Sequence, residues 1–127
     1  MRSGTSLGRV RGLGSAREGA HHWWYQRLTA GSNFLLMLWL IVSIARQPAY
    51  DYTTMRMWME NAWVAIPMAL LILSVFWHFR MGLQIVIEDY QHDESRIVFM
   101  VLLNFFVVAT GGAALFSILK IALGAAA

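Results

Sequence analysis

AWVAIPMALLILSVFWHFRMGLQIVIEDY, residues 62–90, decides what kind of protein this chain is. Residues 62–79 carry no charged side chain, and roughly 17–25 apolar residues suffice to cross the hydrocarbon core of a bilayer. The stretch therefore reads as a membrane-embedded helix, and it holds a histidine, His78, inside its apolar part. Ionisable side chains are costly at that depth and mark functional sites by default. Neutral imidazole is also a common ligand of metals and of haem iron.

Two further blocks, residues 28–45 and 97–119, are likewise free of charge. The chain is 127 residues long, with 58% hydrophobic and only 13% charged residues. That charged share is about half of what a soluble domain carries. The reading is an all-α integral membrane protein with three transmembrane helices, at about 28–46, 62–89 and 97–120. Cysteine is absent, which excludes thiolate metal sites, iron–sulfur ligation within the chain and disulfides.

The spans organise the rest. Residues 1–20 form a basic, glycine-rich arm with Arg2, Arg9, Arg11 and Arg17 against Glu18, and residues 21–127 form the membrane domain. The arm has no apolar core of a signal peptide; its composition also fits a mitochondrial transit peptide, but its continuity with the first span favours a retained arm. His21 to Arg27 make an aromatic and basic belt of the headgroup type. Residues 46–60 read as a connecting loop and 91–96 as a short, mostly acidic turn. Five arginines lie on the N-terminal side, counting Arg27, so the positive-inside rule places the N-terminus in the cytoplasm or matrix and the C-terminus outside. The arginines match a membrane surface more simply than a nucleic acid.

Ser74, His78 and Gly82 recur at intervals of four and share one helix face. Small residues one turn before and after the histidine leave a flat recess in which a planar macrocycle could lie with its iron facing the imidazole. Ile85 and Asp89 continue that face, and Tyr90 lies about 120° round from His78. Asp89 and Tyr90 are some 16–18 Å nearer the inner surface. Residue types alone leave the plainer alternatives open: His78 bonded to a neighbouring helix, Gly82 serving close packing, and Asp89-Tyr90 as an interfacial anchor. Arg80 is expected to snorkel inward, with a haem propionate as the other reading. His21 and His22 look interfacial rather than zinc-binding, and His92 is either solvated or a proton donor near Tyr90. Pro67 is expected to kink its helix. Asn104 is expected to bond across helices, and Ala109, Ala113 and Ser117 to form a close-packing stripe.

His78-x3-Gly82-x6-Asp89-Tyr90, with Gly82-Leu83-Gln84 and Glu88 between, resembles the smaller hydrophobic membrane-anchor subunit of succinate dehydrogenase, respiratory complex II. Arg11 to Ala16 and Gln26 to Ala30 resemble the same family in its alphaproteobacterial and mitochondrial-type branch, and the likeness runs from about Arg9 through the third span. The resemblance implies that His78 is one axial ligand of a haem b, the second histidine coming from the larger cytochrome b anchor subunit. It implies that Tyr90 donates a hydrogen bond to ubiquinone and that Asp89 orients that tyrosine or relays protons. Ser74 and Gly82 would line the haem face. Arg27 resembles an arginine paired with haem propionates, or is a headgroup anchor. Electrons would come from an iron–sulfur subunit fed by a succinate-oxidising flavoprotein subunit. The implied location is the bacterial inner membrane, in preference to the mitochondrial one. A quinol:fumarate reductase anchor is the rival within the class, and a small haem-free transporter or scaffold the rival outside it. Transport would call for paired charges at the midplane or internal repeats, and neither is present.

Overall fold

A computed structural model of the chain describes residues 5–6 and 17–124. Four helices follow in order among the described residues from 17 onward: α1 Arg17–Ala45, α2 Tyr52–Glu60, α3 Ala62–Tyr90 and α4 Asp93–Ala122. Three of them are long and apolar enough to cross a membrane, at Gly19–Ala45, Ala62–Tyr90 and Asp93–Ala122. The expected spans are thus present, each longer than its apolar block. The aromatic belt from His21 to Arg27 is the first part of α1 and not a separate lead-in. Most of the basic arm lies outside the described residues.

The connecting loop expected over 46–60 is corrected: it contains α2. Asp51 caps that helix, accepting from the Thr54 hydroxyl at 2.7 Å and the Thr54 amide at 3.2 Å. The same hydroxyl bond, then the amide, holds the Asp51 carboxyl below its ordinary value. Asn61 ends α2 and caps α3 through the Trp63 amide at 2.9 Å. The acidic turn expected over 91–96 shrinks to Gln91 and His92. Asp93 and Glu94 are already in the first turn of α4, where negative side chains favour a helix N-terminus. Asp93 takes a positive φ of 56° to make this tight reversal. α3 is assigned without a break through Pro67.

α3 is the middle of the molecule. It packs on α1 along one side and α4 along the other, while α1 and α4 do not touch. Such a row buries little. Val64, Ala65, Leu71 and Met81 on α3, with Leu103 and Ile118 on α4, are the buried apolar residues, whereas Phe34, Phe105, Val108 and Phe116 are each about 70% exposed. Large apolar faces turned outward match lipid or another membrane chain. The α3–α4 contact is tight at Gly111, where an added Cβ would lie 3.2 Å from Cγ of Phe76. Phe79 and Phe106 meet nearby with ring centroids 6.1 Å apart. Ala109, Ala113 and Ser117 are exposed and do not pack α4 onto α3, so the small-residue stripe faces away from this chain's own helices.

Gly111→Leu is therefore expected to force α4 off α3 at a cost of about 1–3 kcal/mol, the usual range for overpacking. Gly112→Leu, at a position with open space, is the control. The check is thermal stability in detergent, with a loss expected only for the first.

Candidate functional site

α1 runs antiparallel to α3, so the start of α1 meets the end of α3. That end also carries Asp89, Tyr90 and the short turn into α4. The sequence-predicted residues fall into two groups along α3.

The deeper group lies between α3 and α1. His78 is half-buried, and its Nδ1 is 3.1 Å from the hydroxyl of Thr29. Ser74 donates to the Thr29 carbonyl at 3.4 Å, a long contact. A Cβ at Gly82 would meet nothing nearer than the Gln26 amide nitrogen, at 3.8 Å. The three residues thus share the α1-facing side, as their spacing requires. Packing within this chain does not demand glycine at 82, however, because an ordinary van der Waals distance remains. The contrast with Gly111 is direct.

The outer group is more open. Tyr90 is 76% exposed at the last position of α3, and Asp89 is exposed beside it. Neither lines the cleft that opens between α1 and α3. That cleft, of about 670 Å³, is lined by Gly19, His22, Trp23 and Gln26 from α1 and by Gln84, Ile85 and Glu88 from α3. Its carboxylate is Glu88, which accepts from Gln84 at 3.0 Å and pairs with Arg96 at 3.5 Å.

Arg27 is exposed, its guanidinium carbon 5.4 Å from the Trp23 ring centroid, a cation–π distance. It is placed on Trp23. Arg80 departs from the snorkelling expectation: its Nε donates to Oδ1 of Asn104 on α4 at 2.7 Å. Asn104 in turn donates to the Met100 carbonyl at 2.7 Å. Asn104 does bond across helices, and this pairing replaces part of the solvation that a charged group loses in a membrane. His21 is exposed, while His92 is the cap residue of α4 and makes no side-chain capping bond.

Reading the sequence by residue type overlooked the face of α1 opposite His78. His22, Gln26, Thr29 and Asn33 follow at intervals of four, three and four and form one polar seam. His22 Nε2, Gln26 Oε1 and Asn33 Oδ1 are buried there without a hydrogen-bond partner among the described residues. The helical spacing of these polar residues inside an apolar span is the signal that could have found the seam. No group of three or more His, Cys, Asp or Glu side chains comes together among the described residues, so any metal bound at His78 needs further ligands from elsewhere.

These features define a class: an all-α, multi-pass membrane protein with one imidazole held at depth and a polar cleft at one end. Comparison with known proteins sharpens it. Residues 1–111 match the family described as succinate dehydrogenase/fumarate reductase transmembrane subunit, and the chain belongs to that family. A succinate dehydrogenase hydrophobic membrane anchor subunit from Rickettsia bellii is 32% identical over 103 residues, covering 80% of this chain and 82% of that one. Its counterpart in Paracoccus denitrificans is 29% identical over 128 residues, 98% and 97% of the two chains. A succinate dehydrogenase membrane anchor subunit from Reclinomonas americana is 30% identical over 96 residues, 72% and 80% of the two chains. No solved structure gives a significant match.

Proposed function

We propose that this chain is the membrane anchor of a succinate:ubiquinone oxidoreductase, supplying one axial ligand of a haem b and part of the site where ubiquinone is reduced. Family membership gives the setting. The observation that carries the site assignment is the pairing of a half-buried His78 with a Gly82 that the chain's own packing does not require. An imidazole at membrane depth, one turn from a glycine that meets only the Gln26 side chain at 3.8 Å, suits a planar group shared with another chain. The donor set fits haem b on this side: one neutral nitrogen, with the second axial histidine left to the larger anchor subunit. A haem held there would take and return single electrons close to the quinone.

The chain's own residues do the rest. Ser74 and Gly82 bound the face on which His78 presents its free nitrogen. Tyr90, exposed at the inner end of the same unbroken helix, donates its phenolic hydrogen bond to a quinone carbonyl. Asp89 beside it orients that hydroxyl or passes protons from the aqueous side. Quinone reduction consumes two electrons and two protons, so a site at the helix end, apolar enough for the ring yet next to water, is well placed. Arg27 keeps the two roles its position allows, headgroup cation or propionate partner, with Trp23 as its neighbour. The electrons come from a docked iron–sulfur subunit fed by a flavoprotein. Residues 1–20 act as a basic arm on the inner side and residues 21–127 as the three-helix anchor. The N-terminus faces the cytoplasm of a bacterial inner membrane and the C-terminus the periplasm.

Tagged chain purified from its own membranes in mild detergent is expected to bring down flavoprotein, iron–sulfur protein and a second hydrophobic subunit, with succinate:quinone reductase activity. Recovery of the intact chain without flavin or iron–sulfur protein, from membranes that retain that activity, overturns the anchor reading.

A further inference from the structure

We infer that Thr29 is the positioning residue that fixes the ring of His78, holding the imidazole with its proton on Nδ1 and its lone pair on Nε2. The inference rests on the reading of His78 as a haem ligand and deepens it.

Counting protons leads to this assignment. The Thr29 hydroxyl has one, and three polar atoms surround it: the Tyr25 carbonyl at 2.8 Å, the Gln26 carbonyl at 3.2 Å and His78 Nδ1 at 3.1 Å. Carbonyl oxygens can only accept. The shortest of the three contacts is to a carbonyl, so the hydroxyl proton goes to the backbone of α1, the usual habit of a threonine within a helix. Its oxygen then offers lone pairs to His78, and a bond at 3.1 Å requires Nδ1 to carry the proton. The lone pair of the neutral ring is left on Nε2. This is the tautomer that a metal ligated through Nε2 needs.

Such partners do more than choose a tautomer. A hydrogen bond from the far nitrogen of a ligating histidine fixes ring orientation and raises its basicity. Thr29 is itself fixed. Its backbone sits within a long helix, its carbonyl is approached by Ser74 of α3, and its β-branched side chain has few rotamers. The hydroxyl is thus a rigid acceptor projecting from α1 onto α3, one that exists only when those two helices are packed. Haem binding and docking of α1 on α3 are coupled through this single contact.

The test uses the whole complex with Thr29→Val, which keeps the shape and removes the hydroxyl, and Thr29→Ser, which restores it. Haem retention on titration, haem midpoint potential and histidine nitrogen NMR are measured, with His78→Ala in the same series. Thr29→Val is expected to weaken haem retention by about 10–100-fold, the range for losing such a partner. It should also shift the potential upward, because a less basic ligand favours the ferric state less. Thr29→Ser should stay near wild type, and the nitrogen spectrum of wild type should show His78 protonated on Nδ1. If Thr29→Val matches wild type in retention and potential while His78→Ala loses haem, the Thr29 role is overturned and ligation stands. A Thr29→Ser variant as impaired as Thr29→Val also overturns it, because shape and not the hydroxyl would then matter. Haem retained with an unchanged spectrum in His78→Ala overturns ligation itself, and the Thr29 role with it.

Discussion

His78→Ala is expected to remove the haem signal from the purified complex while leaving succinate oxidation by artificial acceptors intact. The expectation follows from the number of ligands this chain has to give. One imidazole lies in the apolar part of α3, and no cluster of three metal-binding side chains exists among the described residues to replace it. The substitution takes away the proposed axial ligand. Haem content per flavin should fall severalfold or more, measured chemically on preparations matched for flavin. On the proposed reading the flavin and iron–sulfur chemistry sits in other chains, so its activity is the internal control. A parallel loss of that activity would mean that the anchor has misassembled. His78→Gln, which keeps bulk and polarity without a good iron ligand, separates the two. Full haem content with an unchanged spectrum in either variant is incompatible with axial ligation.

Tyr90→Phe is the second large effect. The change keeps the ring and removes only the hydroxyl, at a position 76% exposed and outside the α1–α3 cleft, so the fold has little to lose. A hydrogen bond worth about 1–3 kcal/mol in a partly desolvated site corresponds to roughly a 5- to 150-fold change. Succinate:quinone reductase activity should fall within that span while reduction of artificial acceptors persists and haem content stays at wild-type level. Retention of both activities would remove Tyr90 from the quinone site. The haem measurement matters because His78 and Tyr90 share one helix. A change at both places would point to movement of α3 and not to a lost hydroxyl.

Some of this was legible in the sequence for simple physical reasons. An uncharged run long enough to cross a bilayer has few other uses, so the three spans could be read directly from charge spacing. The Ser74–His78–Gly82 face followed from helical periodicity, and the structure places all three toward α1. What remained hidden depends on local mixtures or on contacts far away in the chain. α2 mixes Thr53, Thr54, Arg56 and Glu60 with Met55 and Trp58, an amphipathic composition that resembles a loop when judged by hydropathy. The true start of α4 at Asp93 was masked because acidic residues suggest a turn as readily as a first helical turn. Arg80 could be read as snorkelling until its partner 24 residues away was visible. Thr29 is the sharpest case. A single threonine in a span is ordinary, and only its contact with a histidine 49 residues later gives it a role. Sequence alone does not separate Gly82 from Gly111, yet an added Cβ crowds Phe76 only at Gly111.

The most direct test of the central claim is a dithionite-reduced minus oxidised spectrum of the wild-type chain, purified gently with the proteins that accompany it. A b-type haem signal is expected, in stoichiometric proportion to flavin and iron–sulfur protein in the same preparation. A complex that contains those partners and reduces quinone but shows no haem would contradict ligation at His78, leaving that imidazole as a packing residue bonded to Thr29.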